Sequence, residues 1–118
     1  MTTWSPLASG LLSGKYRDGV PDGSRGTLPS MAGFRDGLTD AKKNAAVAQL
    51  EPIAAELGGS VAQLAIAWAA RNRHVSSVIT GASQLTQLRS NLGALAVLEK
   101  LTPEVTQRIE AVTADLAE

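Results

Sequence analysis

The sequence predicts an α/β fold built from parallel βα units and mostly helical by residue count. Two strand-like segments carry this prediction: "TTWSPL" near the start, stopped by Pro6, and the β-branched "VSSVIT" at 75–80. A long helical stretch lies between them, which is the crossover that a parallel pair requires. Two parallel strands alone do not make a sheet covered on both faces. The chain therefore reads as part of a larger architecture.

Residues 4–36 hold the strand end and a long irregular stretch, "SGKYRDGVPDGSRGTLPSMAGFRDG", rich in Gly, Ser, Asp and Pro. Loops of that length without structure are uncommon in compact domains and are usually functional or disordered. Within it, "RDG" and "PDGS" are turn chemistry. Helical patterns occupy 40–73. Val47, Leu50, Ile53, Ala54 and Leu57 share one face, and Gly58-Gly59 supplies a left-handed stop. Pro52 is expected to kink or restart this helix. Ser60 caps the next one, with Val61, Leu64, Ala65 and Trp68 on its apolar stripe. Residues 75–80 suit a short buried strand. "GAS" then turns the chain, and helices fill 84–116. Ser83 is expected to cap "QLTQLRSNLGALAVL", with Leu85, Leu88, Leu92 and Leu95 inward. Thr102 and Pro103 start the last helix, whose stripe is Val105, Ile109, Val112 and Leu116.

Composition narrows the function. The 118 residues fit one domain and carry zero formal charge, so no broad basic field invites nucleic acid. With no Cys and one His, His74, neither a metal centre nor a Ser/His/Asp triad is expected. His74 reads as a turn residue and Trp68 as core. No apolar run reaches the ~20 residues of a membrane span, and "MTTWSPLA" lacks the charged and apolar regions of a secretory signal. A cytoplasmic protein is expected.

"SPLASGLLSGKY" resembles a phosphate loop. A P-loop is excluded, because three residues separate Gly10 from Gly14 where four are required, and Tyr16 follows Lys15 where Ser or Thr would hold magnesium. The Gly spacing of a dinucleotide fingerprint is also absent. The third reading fits: the phosphate site of an eight-stranded βα barrel, formed by the loops after its last two strands and a helix N-terminus.

"WSPLASGLLSGKY", "DGSRG", "GGSVAQLAIAWAARN", "VSSVITGASQLTQLRSNLGAL" and "LTPEVTQRIEAV" together resemble the C-terminal part of an aldo-keto reductase. The branch is the one that contains potassium-channel beta subunits and their bacterial relatives. The resemblance implies the last two βα units and C-terminal helix of a (β/α)8 barrel, with NADP (as NADPH) bound across the barrel mouth. It implies that Trp4 stacks on the nicotinamide, that Ser5, Pro6, Leu7, Ala8 and Ser9 pass under the pyrophosphate, and that Lys15 and Arg25 clasp the cofactor. Gly81, Ser83, Gln87 and Asn91 correspond to the adenosine end. Gly23 replaces an aromatic of close relatives. Gln84 and Gln87 stand where many relatives carry Arg for the 2′-phosphate, and Ser90 where many carry an acid. The choice of NADP over NAD therefore comes from the family and not from local charge.

The family's catalytic Tyr, Lys, Asp and His lie on earlier strands, and Tyr16 matches none of them. The chain alone is expected to be inactive: a fragment, a truncated reading frame or one piece of a split barrel, since a barrel takes ~250 residues. A carbonyl substrate is expected only in a complete barrel. Self-association or pairing with a missing N-terminal part is expected from uncovered apolar faces. The other reading is a non-catalytic nucleotide-binding or channel-beta-like regulatory module.

Overall fold

The computed structural model describes residues 1–116. Its two strands, β1 (Thr2–Thr3) and β2 (Ser77–Val78), pair in parallel, with Thr2 opposite Ser77 and Thr3 opposite Val78. The Ile79 amide donates to the Thr3 carbonyl at 2.8 Å and extends the ladder by one bond. The strand expected over 75–80 thus forms only at its centre. It is not buried either: Ser76, Ser77, Ile79 and Thr80 are exposed, while Val75 and Val78 are half-buried. With one neighbour each, both strands are edges, and a β-branched run has no second layer to enter.

Helices supply the core. The longest, α2 (Ala41–Glu56), starts at Asp40, whose side chain accepts from the Lys43 amide at 2.9 Å. Before it lies the single turn α1 (Arg35–Leu38). The Asn44 side-chain amide joins the two by donating to the Leu38 and Asp40 carbonyls. Helix α2 runs unbroken through Pro52, so no restart occurs. An interior Pro costs ~3 kcal/mol, but Leu50, Ile53 and Ala54 beside it are buried. Burying a Leu or Ile side chain returns ~1.5–3 kcal/mol, which holds the helix together. Gly58, at φ 76°, ends it where expected.

Ser60 and Gln63 cap helix α3 (Val61–Ala70) reciprocally: the Ser60 hydroxyl accepts from the Gln63 amide at 3.2 Å, and Gln63 Oε1 accepts from the Ser60 amide at 3.0 Å. Helix α5 (Ala94–Leu98) packs across α3, and α6 (Pro103–Thr113) lies on α2. Thr102 caps α6 as the sequence predicts. Val47, Leu50, Ile53, Ala54, Val61, Leu64, Ala67, Val97 and Ile109 form one cluster. Trp68 packs half-buried against it, with the Arg71 guanidinium 3.7 Å above its ring.

Helix α4 (Leu85–Leu92) departs from expectation. Leu85, Leu88, Leu92 and Leu95 are 60%, 46%, 62% and 65% exposed, not inward. The helix touches α3 and α5, through the Gln63 side-chain amide on the Ser90 carbonyl among others, but its leucine stripe faces away from the core cluster. Gln84, not Ser83, is its N-cap, and Gly93 separates it from α5.

The long stretch after β1 is not structureless. It winds into 3-10 turns at Ala8–Ser13, Arg25–Thr27 and Pro29–Phe34 before α1. An ion pair between Arg17 and Glu51 ties it to α2.

Candidate functional site

The parallel register sends both strands out of the sheet in the same direction. Trp4 leaves β1 at the end where Thr80 and Gly81 leave β2. The indole of Trp4 is 82% exposed, so its face is open to a flat partner.

Behind Trp4 the backbone turns tightly through left-handed conformations. Ser5, Ala8 and Ser9 have φ of 53°, 49° and 61°, and Gly10 follows at 108°. Such conformations cost non-glycine residues about 1 kcal/mol or more each. Short hydrogen-bonded turns hold them: Ala8 N–H to Ser5 C=O at 3.0 Å, Ser9 N–H to Ser5 Oγ at 3.2 Å, and Gly10 N–H to Leu7 C=O at 2.9 Å. Small side chains suit this path, because a larger one would keep a ligand from the main chain. Pro6, Leu7 and Ser9 are half-buried, whereas Ser5 and Ala8 are exposed.

The second strand leads into a set of donors. The Ser83 amide, the Ser83 hydroxyl and the Gln84 amide converge on Oε1 of Gln87, at 2.8, 3.2 and 3.3 Å. Three donors meet on one neutral carboxamide oxygen, which caps the N-terminus of α4. A phosphate oxygen taking these donors requires Gln87 to swing out. Gly81 is exposed and Asn91 half-buried.

Lys15 and Arg25 are both exposed. Between them lies a residue to which sequence reasoning gave no role. Tyr16 is fully buried, and its hydroxyl accepts from the Gly26 amide at 3.0 Å. Arg35 donates through Nε to the Gly26 carbonyl at 2.6 Å and through Nη2 to the Thr27 carbonyl at 3.3 Å. The signal for this knot was present as a lone Tyr within a Gly-rich loop, but its partner could not be named.

The predicted residues therefore fall into two groups. Trp4 and Gly81 leave the sheet at one end and lead into Ser5–Ser9 and Ser83–Asn91, whereas Lys15 and Arg25 are joined through Tyr16 and Gly26. Among the described residues no hydrogen bond or salt bridge links the groups. Gly10 connects them by contact, since a Cβ there would lie 3.1 Å from Tyr16 Cε2 and 3.4 Å from Lys15 Cε. His74 is an exposed turn residue whose amide bonds Asn72 Oδ1. Among the described residues no cluster of three metal-ligating side chains exists, and no single helix is long and apolar enough to cross a membrane.

Two parallel strands joined by a helical crossover place the chain in the α/β class. Comparison with known proteins gives the family. The model of the Aldo/keto reductase family matches residues 1–114, and the chain belongs to that family. A probable voltage-gated potassium channel subunit beta of Oryza sativa subsp. japonica is 52% identical over 115 residues, covering 95% of this chain and 34% of the relative. Its counterpart in Arabidopsis thaliana is 49% identical with the same coverage. A putative voltage-gated potassium channel subunit beta of Schizosaccharomyces pombe is 42% identical over 113 residues, covering 94% of this chain and 33% of its own length. The chain thus spans about a third of the curated relatives it matches.

Proposed function

We propose that this chain is the NADP-binding C-terminal segment of an aldo-keto reductase, forming the last two βα units and C-terminal helix of a (β/α)8 barrel. The observation that carries the proposal is the parallel register, which sends Trp4 and Gly81 out of the sheet at one end. Trp4 would hold the nicotinamide, Ser5 to Ser9 with Lys15 and Arg25 the pyrophosphate, and Gly81, Ser83, Gln87 and Asn91 the adenosine end. The donors now gathered on Gln87 fit a phosphate. When bound, NADPH supplies hydride for the reduction of an aldehyde or ketone in the cytoplasm. The proton donor and its tuning residues would come from the part of the barrel outside this chain, which alone would be inactive. The leucine stripe of α4 and the free strand edges would be covered by that part.

A second reading, a non-catalytic module that senses nicotinamide nucleotide and regulates a partner protein, is favoured by the channel-beta identity of the relatives. Titration of the chain with NADPH, followed by tryptophan fluorescence and by melting temperature, tests what both readings share. Quenching and a melting temperature that rises with nucleotide concentration are expected. The absence of both effects at millimolar NADPH would refute nucleotide binding. Joining an upstream aldo-keto reductase segment that carries Tyr, Lys, Asp and His separates the two readings, because only the first gains carbonyl reduction.

A further inference from the structure

The loop between β1 and α1 places two of its exposed cations, Lys15 and Arg25, beside one buried hydrogen bond. Lys15 immediately precedes Tyr16, whose hydroxyl accepts that bond, and Arg25 immediately precedes Gly26, whose amide donates it. The Tyr16 ring is wedged between two glycine backbones. A Cβ at Gly26 would come within 2.9 Å of Tyr16 Cε1, and one at Gly10 within 3.1 Å of Cε2. Gly10 closes the left-handed turn that begins at Ser5. The next peptide is held too, since the Gly26 carbonyl takes the Arg35 Nε–H at 2.6 Å. The Lys15 ammonium lies 5.4 Å from the Tyr16 ring centroid, within cation–π range.

From this arrangement we infer that Tyr16, braced by Arg35 through Gly26, is a positioning residue that fixes Lys15 and Arg25 relative to the Ser5–Ser9 turn for a phosphate-bearing ligand. The inference rests on the nucleotide-binding reading above. Its physical basis is pre-organisation. A free loop of this length spreads its cations over many positions, and a ligand must order them at its own expense. A loop closed on a buried phenol presents them already placed. The sequence spends bulk on this: Tyr16 is the largest fully buried side chain among the described residues, yet it lies in a loop outside the helical core cluster. Its chain neighbours Lys15 and Arg17 are both exposed.

The test uses the whole chain, NADPH as probe and Tyr16→Phe, which keeps the ring between Gly10 and Gly26 and removes only the hydroxyl. In the Phe variant, hydrogen exchange at the Gly26 amide should accelerate about 5- to 10-fold, as expected for loss of a bond worth about 1 kcal/mol. The NADPH dissociation constant should rise by about the same factor. In a Lys15→Ala/Arg25→Ala background, Tyr16→Phe should change it less than about 2-fold, because the residues it positions are gone. The salt dependence of NADPH binding should also flatten in the Phe variant, a readout that loss of stability alone does not move. An equal effect of Tyr16→Phe in both backgrounds, or unchanged exchange at Gly26, would overturn the positioning role while leaving nucleotide binding intact. Failure of the unmodified chain to bind NADPH would overturn the functional reading and this role with it.

Discussion

Helices α3 and α4 carry apolar residues at helical spacing, and their fates are opposite. In α3, Val61, Leu64 and Ala67 are buried against α2 and α5. In α4, Leu85, Leu88 and Leu92 are exposed. Periodicity says which side of a helix is apolar. It does not say whether the layer that covers that side belongs to the same stretch of chain. The α3 stripe finds its cover within about forty residues on either side, whereas the α4 stripe is left exposed among the described residues.

The contrast is sharpest in the cost of one truncation on each helix. Leu64→Ala should lower unfolding free energy by ~2–5 kcal/mol, read as a shift in denaturant midpoint at constant slope. Leu88→Ala should change it by no more than ~0.5 kcal/mol, as for a surface site, while weakening any self-association seen by sedimentation. A Leu88→Ala variant as unstable as Leu64→Ala would break the comparison by showing α4 covered in solution. The smallest effect lies in the covered half, at the surface pair that joins α2 to α6. Arg108 donates to Glu56 at 2.6 and 3.1 Å and holds the Glu56 carboxyl below its usual 4.5. A depressed carboxylate pKa contributes stability that is full above 4.5 and is lost as pH falls through the lowered value. Glu56→Gln should therefore flatten the acid limb of the stability profile slightly and leave neutral pH nearly unchanged. A steeper acid limb in that variant would contradict the assignment.

Local signals were legible. Ser60, Thr102 and Gly58 act where the sequence puts them, because a cap or a left-handed stop involves residues three or four apart. Pro52 misleads, since the pattern around it supplies more burial than the ring removes. Ser83 misleads as a cap because Gln87 reaches back to it and shifts the helix start to Gln84. The Tyr16–Gly26 bond lay outside what a sequence discloses. It joins residues ten apart across an irregular loop, with no repeat to mark the register.

The sheet has a consequence for the order in which this chain assembles. Each of its two pairings joins residues 75 apart, while α3 meets α2 and α5 through much nearer neighbours. Closing so long a loop costs entropy before any contact rewards it. Strand β1 is therefore expected to dock last and detach first. The segment from Trp4 to Ser9 shares that timing, and on the proposed function a nucleotide gripping both strand ends would act as the clip that keeps the chain closed.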